Sequence, residues 1–169
     1  MKSLFFLLVL SVFVNQPCFG VAGVTKKQKA KNSSILASKQ AAEEIQWMSY
    51  EEAEEIADKE DKYLTLFFTG SDWCIWCKRM KDVIFSTQAF KHFAKQHLCM
   101  VEVDFPHTTS LPEDLVQLNE KLRVRYGVTG FPTLIIVDKK GDLILREGFR
   151  HGGGEAYVNY LKKNLGLDN

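Results

Sequence analysis

The 169-residue sequence predicts an α/β domain, in which one central mixed β-sheet is flanked by helices in the order β-α-β-α-β-α-β-β-α. Three observations support this prediction. Short apolar runs alternate with amphipathic segments, which is typical of parallel βαβ units. A hairpin pattern near the end of the chain adds an antiparallel edge. The composition, with 46% hydrophobic and 25% charged residues, is that of a single globular domain with its own core.

The first twenty residues have the pattern of a secretory signal peptide. A positive charge precedes the apolar run 4–14, which is shorter than the roughly 20 residues of a membrane-spanning helix. Cleavage is expected after Gly20, or alternatively after Gly23. A lipoprotein acylated at Cys18 is a second possibility, which the preceding Asn15–Pro17 disfavours. We therefore expect a periplasmic or otherwise exported protein, whose thiols are not governed by the cytosolic glutathione pool.

Residues 21–43 are predicted to form a flexible basic linker, and residues 44–169 to form the folded domain. The lysines of the linker are interspersed with polar and small residues, which offer little apolar surface for burial. Attraction to anionic lipid headgroups is an alternative to a solvated tether. Over the whole chain 22 basic residues balance 21 acidic ones, which argues against nucleic acid as a partner. After processing we expect no stable membrane insertion.

The domain begins with a short strand within 44–48, followed by a helix. Ser49 and Glu52 have the spacing of a capping box at the start of this helix. Its apolar face is formed by Ala53, Ile56 and Ala57. The run 63–69 is apolar and rich in aromatic residues, which is typical of a strand covered on both faces.

Two helices follow this strand. The first begins near Cys74, after a break at Gly70–Asp72, and is expected to extend to about Ile84. Ser86 is predicted to cap the second helix, which ends at His97.

The second half of the domain continues the alternation. A buried strand at 98–105 leads into a loop that is bracketed by Pro106 and Pro112. The next helix is expected to bury Leu115, Leu118, Leu122 and Tyr126. Strands at 133–137 and 143–147 flank a glycine-containing turn and form the hairpin. A last helix follows three glycines and is expected to direct these side chains inward: Tyr157, Tyr160, Leu161 and Leu165.

Cys74 and Cys77 are the residues that indicate chemistry. They are separated by two residues, directly after a buried strand and at the start of a helix. Unpaired N–H groups and the positive dipole at a helix N-terminus favour a thiolate, so we expect a lowered pKa for Cys74. Cys77, Met80 and Ile84 share one apolar stripe of this helix. We therefore expect an exposed, attacking Cys74 beside a shielded Cys77.

This asymmetry suits two-step thiol–disulfide exchange, in which Cys74 attacks a substrate disulfide and Cys77 resolves the mixed disulfide. A purely structural disulfide here would close too small a loop to add much stability. Haem attachment requires His directly after the second cysteine, where the chain has Lys78. His92 and His97 complete a zinc-finger spacing, but finger cysteines lie on a hairpin rather than at a helix start. We expect neither a metal nor a cofactor.

The segment Trp73–Lys78, together with Gly127–Thr133, resembles the thioredoxin family. Phe68–Cys74 with Val103–Pro106 is similar to the exported bacterial thiol–disulfide oxidoreductases that include the DsbH type. The resemblance covers about residues 45–165 and implies the thioredoxin fold.

The resemblance also implies substrate-binding residues and partners. Pro132 would be cis and lie beside the cysteine pair, where the backbone of Phe131 would pair with an extended substrate segment. The alternative is that Pro132 begins an edge strand in trans. Trp73 and Trp76 would form an apolar lip for the substrate, or else pack on the helix. The partners implied are protein or peptide disulfides as substrates and a DsbD-like membrane thiol transporter as electron donor.

The sequence departs from standard thioredoxins at two places. Phe68 stands where they have a buried Asp, and Met100 corresponds roughly to the basic residue of the neighbouring strand. Proton transfer at the second cysteine would then need water or another group; Glu102 is a candidate, although a surface role is simpler. The dipeptide Ile75–Trp76 lacks the His of strong oxidases and isomerases, so the Cys74 thiolate loses one stabilising contact.

A less stabilised thiolate accompanies a more reducing potential, so we expect a disulfide reductase rather than an oxidase or isomerase. A non-catalytic metal or thiol carrier is the alternative class. Cys99 is expected to serve as a small apolar residue in a buried strand. His107 and His151 are expected to be isolated in loops.

Overall fold

The computed structural model describes residues 44–168. The predicted signal peptide, the Cys18 alternative and the linker at 21–43 lie outside these residues. In the part of the chain that is described, no helix is long and apolar enough to cross a membrane.

The order of elements agrees with the predicted order within residues 44–168. The elements are β1 (Trp47–Met48), α1 (Tyr50–Glu60), β2 (Tyr63–Thr69), α2 (Ile75–Met80) with a following π-helical turn (Lys81–Phe85), α3 (Gln88–His97), β3 (Leu98–Asp104), α4 (Glu113–Arg125), β4 (Thr133–Val137), β5 (Leu143–Glu147) and α5 (Gly153–Leu165). The predicted bounds of β2, β4 and β5 are confirmed. β1 is shorter than expected, and the helix after the cysteines changes from α to π geometry after Met80.

The five strands form one sheet in the order β1-β3-β2-β4-β5. The first three are parallel, whereas β4 is antiparallel to both of its neighbours. The antiparallel part, which was expected at the terminal hairpin, therefore begins between β2 and β4. The alternation of strands and helices in the sequence does not determine whether β4 runs parallel or antiparallel to β2. Phe68 pairs with Thr133, so β4 begins at the edge where β2 ends.

The sheet separates two apolar layers. The cysteine layer lies under α2, the π-helical turn, α3 and α5, and includes Phe67, Cys74, Cys77, Met80, Ile84, Phe85, Phe90, Met100, Leu134, Ile136, Tyr157 and Leu161. The far layer lies under α1 and α4, and includes Ala53, Ala57, Leu64, Leu66, Phe68, Cys99, Val101, Val103, Leu122, Tyr126, Ile135 and Val137. Because side chains alternate along a strand, neighbouring residues such as Phe67 and Phe68 belong to opposite layers.

The helix caps were predicted correctly for α1 but not for α3. Ser49 Oγ accepts a hydrogen bond from the Glu52 backbone N–H at 3.2 Å, as expected. Thr87, rather than Ser86, caps α3, and its Oγ1 accepts from the Phe90 N–H at 3.3 Å. Ser86 still has helical backbone angles at the end of the π-helical turn, whereas Thr87 has the extended backbone that an N-cap needs.

The predicted buried face of α4 is only partly correct. Leu122 and Tyr126 are buried, but Leu115 is 37% exposed. Asn119 is buried instead, and its side chain donates to the carbonyl of Asp104, the last residue of β3, at 2.8 Å. The first turn of α4 therefore extends beyond the edge of the sheet, where no core is available to cover Leu115.

Candidate active site

The turn after β2 places the cysteine pair at the edge of the sheet. The Cys74 N–H donates to the carbonyl of Gly70 at 2.8 Å, and Cys74 is the N-cap of α2. Its Sγ accepts from the backbone N–H of Cys77 at 3.2 Å. One of the unpaired donors of the helix N-terminus thus points at this sulfur, which favours negative charge on it.

Cys74 and Cys77 form a disulfide bond with an S–S distance of 2.06 Å, so the structure describes the oxidised form. Cys77 is 1% exposed and belongs to the same buried layer as Met80 and Ile84, which confirms the predicted stripe. The prediction of an exposed Cys74 is wrong for this form, because Cys74 is only 5% exposed. Its sulfur is bonded to Cys77, and its side chain packs into the cysteine layer. An incoming thiolate therefore contacts the side chains around the disulfide, here called the rim, before it reaches the Cys74 sulfur.

Pro132 lies directly before β4, at the edge of the sheet where β2 ends. The Phe131–Pro132 peptide bond is cis, as the resemblance implies. The Phe131 ring meets Trp73 edge-on, with centroids 5.8 Å apart, and stacks on Phe105 at 5.3 Å. The structure therefore places this loop beside Trp73, whereas substrate pairing with the Phe131 backbone stays a prediction.

Trp73 lies on the turn before Cys74 and is held from two sides. Its Nε1 donates to the carbonyl of Phe105 at 2.8 Å, and its ring stacks on His107 with centroids 4.6 Å apart and 9° between the planes. A Cβ at Gly70 would lie 2.6 Å from Trp73 Nε1, so glycine allows the ring to lie across the turn. Trp73 is still 42% exposed and offers a fixed apolar surface beside Cys74.

Trp76 lies between the two cysteines in sequence and forms a second aromatic group at the rim. It is 48% exposed, and its ring contacts Phe149 with centroids 5.2 Å apart. The Arg79 guanidinium lies 5.8 Å from the Trp76 ring centroid, and Phe149 also meets His151 edge-on at 5.3 Å. Trp76 therefore packs on neighbouring side chains while it leaves about half of its surface open.

Asp72 connects the turn before the cysteines with the segment after β3. Its carboxylate accepts from Thr108 Oγ1 at 2.6 Å, from the Thr108 N–H at 2.7 Å and from the His107 N–H at 3.0 Å. These hydrogen bonds hold the pKa of Asp72 well below its usual range, and the one from the Thr108 side chain has the largest effect. Lys78 Nζ also donates to the Asp72 carbonyl at 2.8 Å. The turn and the segment 105–108 are therefore fixed to one another.

Asp72→Asn is expected to destabilise the fold at neutral pH, because an amide cannot accept all of these hydrogen bonds and lacks the charge that strengthens them. A carboxyl with a lowered pKa in the folded state contributes stability above its ordinary pKa of 3.8, and this contribution is lost as the pH falls further. The difference in free energy of unfolding between native protein and Asp72→Asn, measured with urea, should therefore be constant between pH 7 and about pH 5 and smaller at pH 3.

The matched control for this variant is Asp58→Asn on the exposed side of α1, which removes one negative charge elsewhere. It should leave the free energy of unfolding nearly unchanged at each pH. A difference between native protein and Asp72→Asn that is the same at pH 3 as at pH 7 would contradict a role for the carboxylate charge.

The positions of the acid and base found in standard thioredoxins are apolar here. Phe68 is fully buried and pairs in the sheet with Val103, and both belong to the far layer. Met100 pairs with Thr65 rather than with Phe68, and it lies in the cysteine layer. Met100 and Phe68 therefore lie on opposite faces of the sheet, and the neighbour of Phe68 on β3 is Val103.

Glu102 is not an isolated surface acid. It forms an ion pair with Lys81, which lies one helical turn after Cys77, and both side chains are partly buried. The Lys81 ammonium also lies 5.5 Å from the Trp47 ring centroid and 5.8 Å from that of Phe67. A role for Glu102 in proton transfer stays a hypothesis.

The zinc alternative finds no support among residues 44–168, where no group of three or more His, Cys, Asp and Glu side chains is arranged to hold a metal ion. His97 packs on Phe93 with ring centroids 4.9 Å apart, and burial lowers the pKa of its imidazole. Cys99 is a free thiol that is fully buried in the far layer, and burial raises its pKa. Its predicted role as a small apolar residue is confirmed by this burial.

Asp72, His107 and Phe149 were not predicted as parts of this site. The expectation that His107 and His151 are isolated is wrong, because each contacts an aromatic ring at the rim. A sequence signal for Asp72 and His107 was present, since neighbouring parallel strands end at the same edge of a sheet. The residues after β2 and after β3 therefore had to meet. No comparable signal indicated Phe149, which follows an antiparallel edge strand.

The chain matches the family model of a thioredoxin-like domain over residues 50–161. It is 50% identical over 127 residues to the disulfide bond reductase DsbH of Chlamydia pneumoniae, which covers 75% of this chain and 76% of that protein. A solved structure of a DsbH oxidoreductase superposes with a TM-score of 0.71 and 50% identity, over 73% of this chain and 86% of that one. The thiol:disulfide interchange protein DsbD of Haemophilus influenzae (strain PittGG) is 30% identical over 99 residues, 56% of this chain but only 15% of DsbD.

The sheet, its flanking helices and the cysteine pair at a helix start define a disulfide oxidoreductase of the thioredoxin fold, and the chain belongs to the thioredoxin-like family. Within this family it is a DsbH-like thiol–disulfide oxidoreductase. The resemblance drawn from the sequence motifs is thereby confirmed.

Proposed function

We propose that the protein is an exported disulfide reductase that acts on protein or peptide disulfides through Cys74 and Cys77. The observation that carries this proposal is the cysteine pair at the start of α2, with Cys74 Sγ accepting from the Cys77 N–H at 3.2 Å. The intervening Ile75–Trp76 contains no His, which favours a reducing pair over an oxidising one. The name of the relative DsbH, a disulfide bond reductase, supports the same direction.

The proposed reaction proceeds in two exchanges. The Cys74 thiolate attacks one sulfur of the substrate disulfide, forms a mixed disulfide and releases the first substrate thiolate, which takes up a proton from solvent. Cys77 then loses its proton and attacks Cys74 Sγ, which forms the Cys74–Cys77 disulfide and releases the second substrate thiolate. The substrate gains two electrons, and the enzyme is left in the oxidised form that the structure describes.

The residues around the pair are proposed to bind the substrate. Trp73 directly precedes Cys74 and Trp76 directly precedes Cys77, and both rings are about half exposed. The backbone of Phe131, before the cis Pro132, is proposed to pair with an extended segment of the substrate. Such backbone pairing provides affinity that depends little on the sequence of the substrate segment.

We further propose a periplasmic location and a membrane electron donor. The location rests on the sequence pattern of a signal peptide cleaved near Gly20, with a lipoprotein anchored at Cys18 as the alternative. An exported enzyme has no direct access to cytosolic reductants, so we propose that a dithiol in the membrane supplies the two electrons for each turnover. A transporter like DsbD would supply them, and the similarity of this chain to part of DsbD agrees with a common thiol-exchange system.

The reduction potential of the Cys74–Cys77 pair tests the direction of the reaction. We expect a value near the roughly −270 mV of thioredoxin, measured by equilibration of the fragment from residue 21 with glutathione or dithiothreitol buffers. A value near the roughly −120 mV of DsbA would contradict the reductase proposal and make the protein a disulfide donor. Cys99→Ala serves as the control, because a buried thiol in the far layer should not change the potential.

A further inference from the structure

Thr69 carries a buried hydroxyl group without a hydrogen-bond partner. The residue is fully buried, and within residues 44–168 its Oγ1 is the buried side-chain oxygen or nitrogen to which the protein offers no donor or acceptor. Burying such a group unpaired costs folding free energy. Valine has nearly the same shape without this cost, so the hydroxyl gives the oxidised form no stability that a valine would lack.

Thr69 is the last residue of β2, on the face of the sheet that α2 covers. It lies two residues after Phe67, which belongs to the cysteine layer, and the alternation of side chains along a strand directs both residues to that layer. α2 begins over the same edge of the sheet, and Cys77 is its first buried residue. The hydroxyl therefore lies at the end of the strand, beneath the cysteine pair.

The backbone fixes Thr69 at this edge from both sides. Its carbonyl accepts from the Phe105 N–H, which follows β3, at 2.9 Å. On the other side Phe68 pairs with Thr133, and one further step in this antiparallel register brings Thr69 next to Pro132. A hydroxyl that is held in this way stays in place when the disulfide opens.

Other polar side chains that border the cysteine layer have partners within the described residues. Lys81, one helical turn after Cys77, forms an ion pair with Glu102 of β3. The Tyr157 hydroxyl of α5 donates to the Gly148 carbonyl at 3.2 Å. These groups are engaged in the oxidised form, whereas the Thr69 hydroxyl is available for a new hydrogen bond.

Reduction of the disulfide creates an acceptor for this hydroxyl. When a dithiol reduces the pair, the S–S bond breaks, the two sulfurs take up two electrons, and the reductant is left as a disulfide. The sulfurs, 2.06 Å apart in the disulfide, must then separate at least to van der Waals contact. Cys74 Sγ already accepts from the Cys77 N–H. A Cys77 thiolate is a much stronger acceptor than a disulfide sulfur, and it is created within the layer that the Thr69 hydroxyl faces.

We propose that the Thr69 hydroxyl donates a hydrogen bond to Cys77 Sγ in the reduced enzyme. This hydrogen bond forms on reduction, so it favours the dithiol over the disulfide. In the resolving step Thr69 keeps its own proton: the Cys77 proton leaves to solvent, and the hydroxyl stabilises the thiolate until it attacks Cys74 Sγ. The proposal rests on the exchange through Cys74 and Cys77 proposed above, but not on its direction.

The first test is the redox equilibrium of Thr69→Val with glutathione, measured on the fragment from residue 21. We expect an equilibrium constant shifted about tenfold toward the disulfide, which corresponds to a potential roughly 30 mV more negative than that of native protein. Thr69→Ser keeps the hydroxyl and should retain the native potential. Thr65→Val is the matched control, because Thr65 is also fully buried on this face of β2 but its hydroxyl donates to the Tyr63 carbonyl at 3.2 Å. It should leave the potential unchanged.

The second test compares the stability of the two redox forms by urea unfolding. Oxidised Thr69→Val should be at least as stable as oxidised native protein, since it buries no unpaired hydroxyl. Reduced Thr69→Val should be less stable than reduced native protein, because it lacks the hydrogen bond to Cys77. Thr65→Val should lose equal stability in both forms. A change in packing alone would not give opposite effects in the two forms.

The third test assigns the sulfur. Cys74→Ala combined with Cys99→Ala leaves Cys77 as the single thiol of the fragment, and the ultraviolet absorbance of the thiolate follows its titration. Adding Thr69→Val should raise the pKa of Cys77, so that the thiol is about tenfold less acidic. The same substitution beside Cys77→Ala and Cys99→Ala should leave the titration of Cys74 unchanged.

A native potential in Thr69→Val would overturn this proposal, as would equal shifts in Thr69→Val and Thr65→Val. A change in the titration of Cys74 and not of Cys77 would overturn the assignment to Cys77. A native potential near that of DsbA would overturn the reductase proposal alone, because the effect of Thr69 is a difference between variants. If the folded pair does not exchange with glutathione at all, both proposals fail.

Discussion

Cys74→Ser is expected to reduce disulfide exchange to the uncatalysed rate, because a serine hydroxyl neither ionises at neutral pH nor forms a disulfide. Cys77→Ala should instead retain the first exchange and accumulate a mixed disulfide at Cys74, since the sulfur that resolves it is missing. Release of glutathione from a mixed-disulfide peptide measures the first step, and intact mass spectrometry detects the trapped adduct.

The control for both cysteine variants is Cys99→Ala, which removes the buried thiol of the far layer. It should react like native protein in both assays. Measurable exchange by Cys74→Ser, or an adduct that forms at Cys77 in that variant, would show that the roles of the two sulfurs are assigned wrongly.

Gly154→Ala is expected to destabilise the fold by about 3 kcal/mol, the upper range for overpacking a tightly packed site. Gly154 is buried in the first turn of α5, and a Cβ there would lie 2.7 Å from the Cβ of Thr87. Thr87 cannot turn away, because its Cβ is fixed to the backbone and its Oγ1 donates to the Ile84 carbonyl at 2.6 Å. The start of α5 would have to move away from the cap of α3. Urea unfolding at pH 7 measures the loss.

Gly130→Ala is the matched control for this substitution. A Cβ at Gly130 meets no atom within 4 Å, and its backbone is not in the left-handed region. Its free energy of unfolding should therefore equal or slightly exceed that of native protein. If Gly154→Ala is as stable as this control, the contact between α5 and Thr87 is looser than the structure indicates.

The strands were predictable because local signals bounded them. The apolar run of β2 ends at Thr69, directly before glycine, and the β4–β5 hairpin flanks a turn with Gly141 in the left-handed region. The caps depended on finer detail. Ser86 and Thr87 are adjacent and chemically similar, and only the end of the π-helical turn decides which of them has the extended backbone.

The site was predictable where it is contiguous in sequence and not where tertiary contacts form it. The cysteine pair and the proline loop are motifs, so they were found. The stack of Trp73 on His107 joins residues that are 34 positions apart, and the sequence contains no pattern for it. Burial of Cys74 depends on how α2 packs on the sheet, which its position at a helix start does not determine.

The sheet also separates the Cys74–Cys77 disulfide from one of the two layers of the hydrophobic core. Adjacent residues of one strand, Phe67 and Phe68, face different layers, and only the layer of Phe67 contains the disulfide. We expect substitutions at far-layer positions such as Val101 to change the thermal stability of the protein through side chains outside the layer of the sulfurs. We expect substitutions at Met80, which lies in the same layer as the two sulfurs, to change both the stability and the reduction potential. In evolution, selection for heat resistance and selection for electron affinity can therefore act on this domain through separate sets of residues.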